Sequence, residues 1–336
     1  MKIFYAVQAT GNGHISRAIQ IMPYLQQFGT VDVMLSGANA TLDAPLPIKY
    51  RSKGLSLFYS RCGGLHYKKM WQENSVFRAI REAKQLPVDQ YDLVINDFDF
   101  ITAKACSIRQ VPSVQFGHQA SFMSNATPRP ENKSVVGEWI LKQYAPATHY
   151  VGLHFDRYAD FIYPPVIKDE FLNATPSNQG HITVYLSAYQ QDCLQHHFES
   201  MPDVHFHWFL HGTKNIYREG NITYYPIDNQ LFNESLIHCE GIITGGGFET
   251  PAEALYLEKR LMSIPIRGQY EQLCNAAALK QKDITVLDDA DTEHFAADIK
   301  TWLNEPRPLV KQQANNLMQT LEQVVSFANS KQSLVA

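Results

Sequence analysis

At 336 residues, 45% of them hydrophobic, the chain is long enough for two ordinary domains and too apolar for a disordered protein. A formal net charge of −4 argues against a dedicated nucleic-acid binder, since phosphate neutralisation calls for a basic surplus. No apolar run reaches membrane-spanning length, and MKIFYAVQAT has neither the basic leader nor the cleavage site of a signal peptide, so a cytoplasmic location is the expectation. The five cysteines (Cys62, Cys106, Cys193, Cys239, Cys274) lie far apart with no CxxC spacing. Reduced thiols are therefore expected in place of a zinc site or disulfides.

In chain order, KIFYAV (2–7) has the pattern of a strand, and the helix-like run His14–Phe28 follows, closed by Gly29. VDVMLSG (31–37), LSLFYS (55–60), YDLVIND (91–97), PSVQFG (112–117) and THYVGL (148–153) continue the strand series. It restarts with HITVYLS (181–187), VHFHWFLHG (204–212), NITYYP (221–226), EGIITGG (240–246) and KRLMSIP (259–265). Strands alternating with helical stretches predict βα units and mainly parallel sheets. Between the two series, Pro164–Pro165 and a polar Asn/Pro/Ser tail mark a linker. The expected architecture is α/β, with two doubly wound, Rossmann-like domains over 1–163 and 166–308. A last helix, about 310–330, would join the first of them.

The first strand runs into QATGNGHISRAIQ, where Gly11 and Gly13 free the backbone and His14 opens a helix. Ligands bind at that carboxyl edge of open α/β sheets. A histidine there is suited to proton transfer; the plainer alternative is a packing or capping histidine. GNGHIS fails the dinucleotide fingerprint, with Ser16 in place of the third glycine, and no Walker A loop occurs.

INDFDF places Asp97 and Asp99 at the end of a strand. Asp97 could hydrogen-bond His14 and fix its tautomer, could cap the next helix, or could share a metal with Asp99; no metal is expected. In FGHQASF, His118 and Gln119 either touch an acceptor or hold their loop. YKKMWQENSVFRAIREAK (67–84) is basic and amphipathic, suited to an anionic membrane surface, though packing of its apolar face on the sheet accounts for the same residues. The histidines of HHFESMPDVHFHWFLHG lack a third ligand at metal-binding spacing, and a partly exposed strand face is expected.

GIITGGGFETPAEAL carries three consecutive glycines between a strand and a helix. One glycine suffices for a turn, whereas three strip a loop of side chains so that a ligand can lie on bare backbone. Gly245, Gly246 and Gly247 fall at the helix's amino end, where outward N–H groups favour phosphate. Pro251 suits the first helical turn. Glu253 could stabilise the helix dipole or accept both hydroxyls of a ribose. SIPIRGQYEQLCNAAAL then places Glu271 and Gln272 after a strand and a glycine turn.

TGGGFETPAEAL, a strand ending in proline, and EQxxNAxxL together resemble the nucleotide-sugar signature of the GT-B glycosyltransferases. The likeness is nearest to the UDP-glycosyltransferases and the peptidoglycan-precursor N-acetylglucosaminyltransferases. TGNGH, YPIDNQLF and YLSAYQQ match further segments of that pattern. The resemblance implies that Gly245–Gly247 and Ser187 approach a diphosphate and that Ile227 meets the base. It implies that Glu253 holds the ribose, that Glu271 and Gln272 hold sugar hydroxyls, and that His14 is the general base on the acceptor side, with Gly11, Gly13 and His118. The usual Asp-Gln is Glu-Gln here, which leaves the donor sugar open. The implied activity is inverting, metal-independent transfer from a nucleotide-sugar, UDP-linked by preference, to a hydroxyl on a glycan, lipid-linked saccharide or small molecule. No cofactor is expected, since the nucleotide-sugar is a substrate, and peripheral membrane contact is an option. The alternatives are a nucleotide-sugar hydrolase or epimerase on the same fold, or a non-catalytic partner subunit.

Overall fold

A computed structural model of the protein describes residues 1–37, 45–308 and 310–329. The first half contains β1 (Lys2–Gln8), α1 (Asn12–Leu25), β2 (Thr30–Ser36), β3 (Ile48–Ser52), α2 (Tyr67–Glu73) and α3 (Val76–Gln85). It continues with β4 (Leu93–Asp97), α4 (Phe100–Arg109), β5 (Val114–Gly117), α5 (Val135–Gln143), β6 (His149–Leu153) and β7 (Ile162–Tyr163). These strands form one parallel sheet in the order β3-β2-β1-β4-β5-β6-β7. Central strands covered on both faces must be apolar throughout. Accordingly Ile3–Val7 and Leu93–Ile95 are apolar and buried without alternation, and the polar Asn96 and Asp97 come only at the carboxyl end of β4.

The second half contains α6 (Asp169–Leu172), β8 (His181–Tyr185), α7 (Gln191–Glu199), β9 (His205–Phe209), β10 (Tyr217–Glu219), β11 (Ile222–Tyr225) and α8 (Asn229–His238). There follow β12 (Gly241–Gly245), α9 (Glu249–Tyr256), β13 (Arg260–Ile264), α10 (Tyr270–Lys280), β14 (Thr285–Val286), α11 (Phe295–Asn304) and α12 (Leu317–Asn329). The second sheet has the order β10-β11-β9-β8-β12-β13-β14, parallel except for β10. In both sheets the strand order reverses beside the first strand of the half, between β1 and β4 and between β8 and β12. A crevice opens at each reversal, outside the strand carboxyl ends.

The halves meet through shared apolar packing. One buried cluster joins Ile15, Ala18 and Met22 of α1 to Phe248, Ala252 and Leu255 at α9, and to Leu321 and Val324 of α12. The final helix packs on α1, β4 and β5 of the first sheet.

The structure corrects several sequence expectations. LSLFYS (55–60) is not a strand; the edge strand is Ile48–Ser52, which alternates between half-buried and exposed residues. The last helix starts at Leu317, not near 310; Asn315 spends its backbone N–H on the Pro165 carbonyl and its side-chain amide on that of Pro164. The single helix expected over 67–84 is broken at Asn74–Ser75, where Asn74 bonds the Ser56 backbone and Ser75 caps α3. Packing on the sheet accounts for Ala79 and Ala83 but not for Trp71 and Phe77, which are 84% and 91% exposed. The thiol expectation also fails. Cys62 and Cys193 form a disulfide with Cα atoms 6.0 Å apart, while Cys106, Cys239 and Cys274 are free and buried. That bond removes the cysteine argument for a reducing compartment.

Candidate active site between the two sheets

A cavity of about 650 Å³ separates the two crevices. It falls in the size range of small-ligand sites. Gly11, Gly13, His14 and His118 line one wall, and Ser187, Ile227, Gly245, Gly247, Glu253, Glu271 and Gln272 the other. Two predicted residues stand behind the surface. Gly246 is buried, its carbonyl accepting from Asn275 Nδ2 at 3.0 Å, and Asp97 is buried behind His14.

On the first wall, α1 begins without a side-chain cap, and its opening turn places His14 over the end of β4. His14 Nδ1 lies 3.0 Å from Asp97 Oδ1. Burial pushes the Asp97 carboxyl up, but Arg17 and His14 outweigh it and hold the group below its ordinary range. Arg17, one helical turn after His14, places Nη2 at 2.7 and 2.8 Å from the two Asp97 oxygens. Its other terminal nitrogen bonds Glu249 at the start of α9, across the domain boundary. The Asp97/Asp99 pair does not form a shared metal-ligand set. Asp99 Oδ2 caps α4 by accepting from Thr102 N at 2.7 Å, and burial raises its carboxyl. Among the described residues no group of three His, Cys, Asp or Glu side chains has metal-binding geometry.

His118 is engaged at both nitrogens, Nδ1 with the Leu153 carbonyl at 2.9 Å and Nε2 with Asn275 Oδ1 at 2.7 Å. It also stacks on Phe248, with ring centroids 4.0 Å apart. Burial lowers its basicity, so it ties the two domains together and is poorly suited to proton transfer. Gln119 has the freer position. Its Nε2 donates to Glu271 Oε1 at 3.0 Å and lies 3.5 Å from His14 Nε2.

On the second wall, α9 also starts without a side-chain cap, at the Gly245–Gly247 loop. Its first N–H groups therefore lack the side-chain partner that most helix starts have. A β-carbon on Gly247 would meet nothing within 4 Å, whereas one on Gly246 would press on Pro265 at 2.9 Å. The triplet has two uses: Gly246 allows close packing, and Gly247 leaves open backbone toward the cavity. Glu253 is buried, its carboxyl raised by desolvation and partly drawn back by Lys168 Nζ at 3.2 Å. Gln272 Oε1 accepts from Ile266 N at 2.8 Å, so its carbonyl shapes the loop after β13.

Several contacts at the site join residues far apart in the sequence. Lys168 comes from the linker, and Arg17 and Glu249 are 232 positions apart. The loop 59–65 reaches from the first half onto the second. Gly63 N donates to the Ala188 carbonyl at 2.9 Å, Arg267 N to the Gly63 carbonyl at 2.8 Å, and Arg61 pairs with Asp192. The Cys62–Cys193 disulfide lies inside this clasp, where Cys62 bridges to Tyr189. Leu55, Leu57, Met70, Phe98, Leu141 and Tyr144 give the first half's wall an apolar share beside polar residues such as Gln8, Asn74 and Ser134.

The same two-domain arrangement recurs in solved structures. Arabidopsis thaliana UGT89C1 complexed with UDP is 13% identical, with a TM-score of 0.63 over 97% of this chain and 99% of that one. Phytolacca americana UGT2 complexed with UDP-2-fluoro-glucose and pterostilbene is 13% identical, with a TM-score of 0.57 over 98% and 99%. The glycosyltransferase VinC in complex with dTDP is also 13% identical, with a TM-score of 0.54 over 98% and 100%. At such identities the likeness establishes the fold, which is GT-B. No curated protein sequence matches the chain. The model of glycosyl transferase family 1 matches residues 1–305, and the protein belongs to that family.

Proposed function

We propose that the protein is an inverting, metal-independent glycosyltransferase that moves a hexose from a UDP-sugar to an acceptor hydroxyl. One observation carries this reading: the His14–Asp97 pair faces the uncapped start of α9 and its open glycine backbone across a single cavity. Ionised Asp97 accepts from His14 Nδ1–H, which leaves Nε2 as the basic nitrogen toward the cavity. Nε2 takes the acceptor's hydroxyl proton while that oxygen attacks the anomeric carbon opposite the diphosphate. The bond from that carbon to the diphosphate oxygen breaks, its electron pair leaves with the diphosphate, and the configuration inverts. The N–H groups of α9 and the backbone at Gly245–Gly247 would meet the growing negative charge, which is the work a metal does elsewhere. Glu253 with Lys168 would take the ribose, Glu271 the donor sugar, and Ile227 the base. Holding both substrates in one cavity supplies the proximity term.

The apolar wall around Leu55, Leu57, Phe98 and Tyr144 favours an acceptor whose hydroxyl sits on an apolar skeleton. Structural neighbours hold such molecules, including quercetin and pterostilbene. Exposed Trp71, Phe77, Val135 and Trp139, with Lys68, Lys69 and Arg81 nearby in sequence, support peripheral contact with an anionic lipid surface.

The test is calorimetry with UDP, dTDP, GDP and ADP, with and without magnesium, on wild type and Glu253→Ala. UDP binding that is indifferent to magnesium and lost in the variant is the expected result. Preference for another base overturns the UDP assignment, and magnesium dependence overturns the metal-free mechanism. Sugar release at full turnover without acceptor would identify a hydrolase, and binding without turnover a partner subunit.

A further inference from the structure

We propose that Arg17 and Glu249 form an interdomain charge relay that sets how strongly Asp97 supports His14, so that docking of the donor-bearing domain brings the base to full strength. The inference rests on the reading of His14 as the general base and adds two positioning residues to it.

The geometry is a chain of alternating charge. Asp97 Oδ1 lies 3.0 Å from His14 Nδ1 and 2.7 Å from Arg17 Nη2, so both groups draw on one oxygen. Arg17 Nη2 itself lies 3.0 Å from His14 Nδ1. A guanidinium placed wholly on Asp97 neutralises the carboxylate and leaves it less able to stabilise an imidazolium. Arg17 is not placed wholly there, because its other terminal nitrogen bonds Glu249 of the opposite domain. With Glu249 present, one cation is divided between two carboxylates, and His14 keeps more of Asp97's charge.

Two glycines make room for this arrangement. A β-carbon on Gly13 would lie 2.6 Å from Glu249 Oε2, and one on Gly117 would lie 2.6 Å from Asp97 Oδ1 and 3.1 Å from Arg17 Nη2. Glu249 immediately follows Phe248, which closes the Gly245–Gly247 loop, so whatever settles that loop also settles Glu249. Relay and donor site therefore move as one piece.

The other charged or titratable groups on this side have different partners. Glu271 of α10 is held by Gln119, whose amide stands between it and His14, and lies 4.0 Å from His118. The Tyr5 phenol is buried beneath Asp97 and, held protonated by burial, adds no charge. Arg17 and Glu249 remain as the charges that can change His14 through Asp97.

The experiment compares wild type, Glu249→Gln and Arg17→Gln by two readouts, the acid limb of the pH–kcat profile and an NMR titration of the His14 ring. Removing the negative charge should move the His14 midpoint down, and removing the positive charge should move it up, each by about one pH unit. Glu249→Gln should also lower kcat about tenfold with little change in donor KM, and Glu249→Asp should recover most of it. Midpoints that stay put, or move in the same direction, overturn the relay. Arg17→Gln leaves buried Asp97 with His14 as its one charge partner and could fail to fold; half-buried Glu249 then carries the test by itself. The two readings fail separately. A fully active His14→Ala variant removes the general-base assignment while opposed NMR shifts uphold the relay. An inactive His14→Ala with unmoved midpoints does the reverse.

Discussion

The two crevices share a topology and differ in what fills them. At the β1/β4 crevice stand ionisable side chains, Asp97 at the end of β4 and His14 and Arg17 of α1 bonded to it. At the β8/β12 crevice the corresponding surface is bare backbone, with Glu253 withdrawn against Lys168. Both begin with an uncapped helix at a glycine loop. On the proposed reading, the same fold element would serve proton transfer where side chains stand in front of the helix, and anion binding where nothing does. The arrangement of strands fixes where chemistry can occur, while the loop residues decide which chemistry it is.

Substitutions can break that contrast, starting with the largest effect. His14→Ala should lower kcat by about 10²–10⁴-fold, while UDP affinity measured by calorimetry stays unchanged. A parallel loss of UDP affinity would mean that the crevices are not separate in function. Next, Gly246→Ala should cost about 1–3 kcal/mol of stability in denaturant melts because its β-carbon meets Pro265. Gly247→Ala should leave the melt alone and weaken UDP about tenfold, or about 1.4 kcal/mol. Equal behaviour of the two variants would show that the triplet acts only as a spacer.

The smallest effect is in the pH dependence of stability. Asp97 is held below its ordinary value, so its contribution is present above about pH 4 and lost as the pH falls through the lowered value. Glu253 is held above its ordinary value, so its contribution is present below about pH 4 and lost as the pH rises through the raised value. Urea melts across that range should lose acid sensitivity in Asp97→Asn and lose the opposite slope in Glu253→Gln. A shared direction would contradict the division between the crevices.

The sequence signals that succeeded are local ones. A glycine loop between an apolar strand and an amphipathic helix can be read within about fifteen residues, and both crevices were found that way. Burial of β1 and β4 was likewise legible in uninterrupted apolar runs. Edge strand β3 was not, because half-exposed IKYRS has no apolar face to announce it, whereas LSLFYS does and yet lines the cavity instead. Long-range pairings left no trace. Cys62 and Cys193 are 131 positions apart, and nothing near Lys168 indicates that it will meet Glu253. Arg17 had a signal that is visible in retrospect: it follows His14 by three positions, hence on the same helix face.

The clasp at loop 59–65 has a mechanical consequence. The chain passes from the first half to the second through the linker after Pro165 and returns before α12, and these two crossings alone would behave as a hinge. The Cys62–Cys193 bond adds a third covalent tie, where Cys62 bridges to Tyr189 of the cavity wall. A hinge with a fastened latch cannot swing wide, so donor and product must pass through whatever gap remains while the latch is shut. If that passage limits turnover, dithiothreitol should quicken product release and loosen nucleotide binding together, and the thiol state of the surroundings would act as a throttle on the enzyme.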